Sequence, residues 1–247
     1  MKQKKEVENK NNYFILKFVL LLGLFLFSVN FVLANPEGPG TVDPISNETF
    51  AGSETGTMVN ISGGYIATLN ISAVFQNPRW KAFIGWVTGE FSLRDAGGSV
   101  IYDWTTVVSS GQVYATRNSS VINWGSIGCA TPANMEAENT ELDLTNSWDN
   151  ITATFSGSTH DPFWVGSTNI LANTCPSLNT FVNNESQTDF FEEVVLFDGV
   201  SIVYAAILED MATGYDGDGY DFQMLVPEVG TPGFSGATAY YIYVEVS

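Results

Sequence analysis

From about Met58 onward the chain alternates apolar and polar positions with a period of two. Tyr65-Ile-Ala-Thr-Leu-Asn-Ile-Ser-Ala-Val-Phe75 is the longest such run and is rich in β-branched residues. Lys81 to Leu93 continues the pattern, and Asp95-Ala-Gly-Gly98 marks a turn before Ser99–Trp104. Gly111–Thr116 reads as another strand, as does Ile151–Phe155, which would set Ile151, Ala153 and Phe155 on one face. Phe190–Phe197 and Ser201–Leu208 flank Asp198-Gly199, a hairpin signal because glycine accepts positive φ. Tyr220–Val226 follows. The last strand, Ala239–Val246, places Tyr240, Ile242, Val244 and Val246 on one face and Tyr241, Tyr243 and Glu245 on the other. Helical signal is confined to Pro132–Leu142, with proline near an N-terminus and enough length for one or two turns. About eight to eleven short strands separated by Gly and Asn turns predict an all-β fold: a single jelly-roll-like β-sandwich with an extended N-terminal arm.

Two segments stand outside this pattern. Residues 1–34 begin with Lys2, Lys4, Lys5, Lys10 and Lys17, run apolar from Phe18 to about Leu33, and end on Val32-Leu33-Ala34. That is the layout of a secretory signal peptide cleaved after Ala34. An uncleaved anchor is the alternative, but a span needs about 20 apolar residues and this run meets Ser28 and Asn30. A pilin-type leader would require a small residue before the apolar run, where Asn11-Asn12-Tyr13 stands. Residues 35–56 are rich in Gly, Pro, Ser and Thr and cannot bury enough to fold alone. The expected organisation is therefore leader 1–34, arm 35–56 and β-sandwich 57–247. The mature protein is expected outside the cell, without a stable membrane anchor.

Composition narrows the function classes. The chain has 247 residues and a net charge of −18. Removing the leader leaves Arg79, Lys81, Arg94 and Arg117 as the only cations. Such a surface repels phosphate backbones and anionic lipid heads, which excludes nucleic acid as a partner. Cys129 and Cys175 predict one disulfide in an oxidising compartment, with two buried thiols as the alternative. Asn47, Asn60, Asn70, Asn118, Asn150 and Asn184 each open an Asn-X-Ser/Thr triplet, so covalent glycans are expected at several. Asp216, Asp218 and Asp221 sit on a glycine-rich turn whose hard oxygens suit Ca²⁺. The turn lacks the twelve-residue loop and its terminal glutamate, and a solvated acidic turn is the other reading. His160 has no companion nucleophile motif. Glu192 and Glu193 would point to opposite faces of a strand. No phosphate loop, Gly-X-Ser-X-Gly or His-Glu-X-X-His occurs, so no enzymatic activity is expected.

The arm carries Val42, Ile45 and Phe50 as its apolar candidates. An arm from one subunit can complete the sheet of the next through main-chain hydrogen bonds, and such a contact propagates head to tail. Pro44 restricts pairing there, and a free N-terminal tail is the alternative. Six tryptophans would stack on sugars if exposed or fill a core or subunit contact if buried.

The runs Trp80–Gly89, Gly111–Arg117, Ile122–Trp124, Cys129, His160–Gly166, Cys175-Pro176 and Tyr220–Glu228 resemble a group of secreted archaeal surface proteins. The resemblance covers nearly all of residues 35–247. It implies a glycosylated extracellular filament of jelly-roll subunits joined by donor strands, similar to archaeal bundling pili. The expected function is thus that of a structural subunit forming a homopolymer. A secreted carbohydrate-binding or adhesion module is the alternative.

Overall fold

The computed structural model describes residues 35–50, 55–106 and 108–246; the expected leader lies outside them. Residues from Asn35 onward form one compact unit. The strands, in chain order, are β1 (Trp80–Gly85), β2 (Gly89–Arg94), β3 (Val100–Thr106), β4 (Gly111–Thr116), β5 (Gly128–Cys129), β6 (Phe163–Val165) and β7 (Thr168–Ile170). They continue as β8 (Ser177–Asn179), β9 (Glu192–Phe197), β10 (Ile202–Ile207), β11 (Ala212–Thr213), β12 (Gly219–Tyr220), β13 (Phe222–Pro227) and β14 (Tyr241–Val246). Two helices, α1 (Pro132–Glu141) and α2 (Ile151–Thr154), lie between β5 and β6. The fold is predominantly β, as the alternation predicts.

The centre is a six-stranded antiparallel sheet ordered β14-β4-β10-β9-β5, with β8 sharing the β9 edge beside β5. Both faces are covered. Val113, Ala115, Val195, Tyr204 and Ala206 pack on one side against Met224 and Val226 of β13 and against Leu142, Ile151 and Phe155. Tyr114, Val194, Leu196, Val203 and Ala205 pack on the other against Phe163, Val165, Ile170, Ile122 and Ile127. Double coverage explains why β9 and β10 read as nearly continuous apolar runs, Val194-Val-Leu-Phe197 and Ile202-Val-Tyr-Ala-Ala-Ile207. The Asp198 turn joining them is held by its own carboxylate, whose Oδ1 accepts from the amides of Val200 at 2.8 Å and Ser201 at 2.7 Å. Gly199 there has φ 98°.

β14 follows the expected facing. Tyr240, Ile242, Val244 and Val246 pack toward the first core and Tyr243 toward the second. Glu245, on the face of Tyr243, is buried and accepts from the Tyr114 hydroxyl at 2.9 Å and the Gly166 amide at 3.0 Å.

Two local expectations change. Within Pro132–Leu142 the chain makes a ten-residue helix, Pro132–Glu141, longer than one or two turns. Thr131 caps it through a full capping box with Asn134, and Pro132 occupies the first turn, where no amide partner is needed. Ile151–Phe155 is a short helix rather than a strand. The Asn150 side chain caps it by accepting from the Ala153 amide at 2.9 Å. Ile151 and Phe155 are buried while Ala153 is exposed, so the i, i+4 pair faces the core. Period two and one helical turn share the i, i+4 match, and the cap decides between them.

Besides the helical segment, the strands covering the first core among the described residues are the antiparallel ribbon β1–β13, registered Trp80 on Pro227 to Gly85 on Phe222. β2 and β3 form a separate hairpin that leaves the Gly85 end of β1 after three residues. Tyr65–Phe75, the longest alternating run, lies in no strand or helix.

Candidate functional site

The acidic turn is held together by its own hydrogen bonds. Asp221 is buried, and its two carboxylate oxygens accept from the Val87 amide at 2.8 Å and the Met211 amide at 3.1 Å. Asp216 accepts from the Asp218 amide at 3.1 Å and from the Tyr220 hydroxyl at 3.0 Å. Asp221 therefore ties the start of β13 to the loops after β1 and β10. Among the described residues no group of three or more His, Cys, Asp or Glu side chains is arranged to hold a metal ion.

His160 is buried and saturated. Its Nε2 accepts from the amides of Thr174 and Cys175, both at 3.0 Å, and Nδ1 lies 2.8 Å from the Asp161 carbonyl, to which it donates. With both nitrogens used by backbone, the ring organises the turn before Cys175. Glu192 accepts from the Asp161 amide at 2.6 Å, whereas Glu193 faces the first core. The two carboxylates do point apart, as strand geometry requires.

Glu193 is a site that sequence inspection missed. It is fully buried, and its Oε2 accepts from the Leu225 amide at 2.7 Å. The bond joins β9 of the central sheet to β13 of the covering ribbon. Burial pushes its carboxyl well above the ordinary value, and the Leu225 amide opposes that only in part. Its Oε1 and the Tyr204 hydroxyl have no hydrogen-bond partner among the described residues.

Each of the four cations after residue 34 is matched with carboxylate. Arg79 meets Asp149 at 3.3 Å, Lys81 meets Glu228 at 2.8 Å, Arg94 meets Glu90 at 3.3 Å, and Arg117 holds Glu138 and Glu141, each at 2.6 Å. The remaining surface charge is thereby almost wholly negative. Burial would raise Glu228, but hydrogen bonds from Lys81, from the Thr238 hydroxyl and amide, and from the Val229 amide outweigh it. They hold its carboxyl down at about 2. A depressed carboxyl stabilises the fold above its unfolded value, and that contribution is lost as pH falls from 4.5 toward 2. Lys81→Met should cost about 2 kcal/mol at pH 7. That discounts the roughly 3–5 kcal/mol of a fully buried pair because Lys81 is partly solvated. It should also move the onset of acid unfolding to higher pH, read by circular dichroism across a pH series. An unchanged acid limb would mean that Glu228 is held without its lysine.

Cys129 and Cys175 form a disulfide. Asn47, Asn60, Asn70 and Asn184 are exposed and Asn118 and Asn150 partly so, leaving each within reach of modification. Asn150 spends its carbonyl on the α2 cap, and Asn118 accepts from the Ser120 amide at 2.8 Å. The tryptophans divide. Trp80 and Trp124 pack against the cores, whereas Trp86, Trp104, Trp148 and Trp164 are exposed.

The arm begins docked on its own body. Pro36 is buried, and Glu37 exchanges both backbone hydrogen bonds with Val244 at the β14 edge, at 3.0 and 2.8 Å. Val42, Ile45 and Phe50 are exposed, and the Phe50 amide donates to the Gln76 side chain at 3.1 Å. Residues 51–54 lie outside the described set. Val42 and Phe50 share a period-two face that Ile45 does not.

The apolar surface is concentrated after the arm. Met58, Val59, Tyr65, Ile66, Leu69, Ile71, Val74 and Phe75 are exposed. In the β2–β3 hairpin the cross-strand pairs Phe91 with Trp104 and Leu93 with Tyr102 share one face, and all four are exposed. The opposite face carries Glu90, Ser92, Arg94 and Asp103. Comparison with known protein families, curated proteins and solved structures finds no match.

Proposed function

We propose that this protein is a structural subunit that assembles with copies of itself outside the cell, as a filament or surface layer, by adding strands across subunits. The observation carrying this reading is the exposed apolar surface of residues 58–75 and of the β2–β3 hairpin. Large apolar side chains exposed in this number along two segments mark an interaction surface rather than a finished monomer exterior. Open sheet edges accompany it: β1 is unpaired on one side among the described residues, and β14 meets only Glu37. A strand supplied by a neighbour would enlarge the two-stranded covering layer toward the second sheet of a jelly roll. The disulfide and the accessible sequons fit a secreted, glycosylated subunit.

A second reading, a secreted carbohydrate-binding or adhesion module, draws on one observation. Trp86, Tyr220 and Tyr215 form a row of rings with centroids 5.4 and 6.3 Å apart, and Trp86 and Tyr215 are exposed at its ends. Such rings stack on sugar faces.

Light scattering and negative-stain imaging of the chain from Asn35 onward distinguish the two. Self-assembly predicts mass that climbs with concentration and regular polymers on the grid. A monomer at every concentration that binds reproducibly on a glycan array would replace the first reading with the second.

A further inference from the structure

Tyr65–Phe75 is patterned as a strand and lies in no sheet among the described residues. None of the described residues hydrogen-bonds to residues 66–75. Its odd positions form an apolar face: Tyr65, Leu69, Ile71 and Phe75 are 75 %, 53 %, 80 % and 84 % exposed. Its even positions carry Thr68, the sequon asparagine Asn70 and Ser72 at the centre, flanked by Ile66 and Val74, which are 98 % and 75 % exposed. No charged residue occurs from Thr55 to Pro78, in a protein whose copies repel each other through their negative surfaces.

The same molecule presents a flank that lacks a strand. β1 is open along one edge and β14 nearly so. The two lie across from each other, since the Phe83 and Tyr240 rings are 6.4 Å apart and Lys81 Nζ sits 5.1 Å from the Tyr240 ring centre. Phe83, Ile242 and Val244 are half-buried there, packed on the core yet still partly uncovered. The segment does not close this gap in its own copy. Ribbon pairing extends to Arg79, whose carbonyl accepts from the Glu228 amide at 2.7 Å. Gln76, Asn77 and Pro78 separate it from Arg79, a length that can close a hairpin, yet no hydrogen bond joins the segment to β1 among the described residues. Pro78 fixes its own φ, and Asn77 is tied to Asp149 at 2.6 Å.

We infer that Tyr65–Phe75 of one copy adds as a strand to the open β1 edge of a second copy, with its apolar face turned into the β1–β14 flank. This rests on the self-assembly reading and assigns the connecting strand to residues 65–75 rather than to the arm around residues 41–50. Lengths support it. Eleven residues extend roughly 36 Å and the six of β1 roughly 20 Å, at about 3.3 Å per residue. The overhang reaches beyond β1, from whose Gly85 end the β2–β3 hairpin departs with its own uncovered apolar face. Four large apolar side chains bury on the order of 600 Å² on the donor side, or about 1,200 Å² with the acceptor, the lower bound of stable specific interfaces. Asn70 stays outward, where a glycan is tolerated. The contact joins different surfaces of the two copies, so it propagates.

Hydrogen exchange on dilute and assembled protein tests this, together with two variants. Assembly should protect the amides of residues 65–75 and of Ala82 and Ile84. Leu69→Asp with Ile71→Asp should raise the concentration needed for assembly at least tenfold, whereas Thr68→Asp on the opposite face should change it less than twofold. These side chains are exposed in the monomer, so an unchanged melting temperature verifies folding. Assembly that leaves residues 65–75 unprotected overturns this assignment and leaves the self-assembly reading standing. A chain monomeric at every concentration overturns both. Protection of residues 65–75 in the dilute monomer shows pairing within one copy and also overturns it.

Discussion

Replacing Cys129 and Cys175 together by alanine should destabilise the protein by about 4 kcal/mol, the chain-entropy value for the loop they close. The two cysteines are 46 positions apart. In a domain of this size such a loss lowers the melting temperature by roughly 8–15 °C. Topology makes the loss concentrated. Cys129 lies on β5, which pairs with β9 through only Gly128 and Cys129. Cys175 stands two residues before β8, which pairs with the same β9 edge through Ser177–Asn179. Neither short strand holds that edge strongly alone, and the disulfide ties them to each other. Reduction of the native protein should therefore expose the amides around Gly128–Ala130 and Ser177–Asn179 first. Denaturant titration with and without reductant gives the total, and hydrogen exchange gives the location. A loss below about 1 kcal/mol would show that the unfolded chain is already compact across this loop.

The second large effect concerns Glu193. Its carboxyl is raised by burial, so the folded state keeps a proton that the unfolded state releases at the ordinary value of 4.5. The stability associated with neutral Glu193 is complete below that value and is lost as pH rises, at up to about 1.4 kcal/mol per pH unit until the folded carboxyl itself ionises. Glu193→Gln keeps an oxygen for the Leu225 amide and removes the ionisation. It should match the native protein near pH 4 and exceed it increasingly above pH 5. Glu193→Ala strands the Leu225 amide and leaves a void between β9 and β13. It should lose about 3 kcal/mol near pH 4, where the native carboxyl is neutral. Thermal melts from pH 4 to 8 measure both. Parallel native and Glu193→Gln curves across that range would mean that the carboxyl titrates normally.

Glu193 also shows what a single sequence hides. The pair Glu192-Glu193 is legible as two carboxylates on opposite faces of a strand. That one of them crosses to the amide of Leu225, 32 positions away, is not. The same limit applies to the acidic turn. The spacing of Asp216, Asp218 and Asp221 suggested shared ligation. The packing of the loops after β1 and β10 instead draws the Asp221 carboxylate to the Val87 and Met211 amides. His160 was legible as structural from the lack of a partner motif, and its two backbone acceptor bonds give the physical content.

Alternation alone specified β4, β9, β10 and β14, because side-chain period and face burial are set by the strand backbone itself. It also identified the Asp198-Gly199 turn, where a positive φ must be supplied locally. The cysteines, being the only two, specified their own pairing. Tertiary structure decided the rest. The Asn150 cap turned Ile151–Thr154 into a helix, and the cover of two cores made β9 and β10 apolar on both sides. The alternation of Tyr65–Phe75 was as clear as that of any true strand, yet it pairs with nothing among the described residues. A period-two sequence defines which side chains share a face, but a sheet needs a second backbone within hydrogen-bonding reach, and sequence carries no address for that partner.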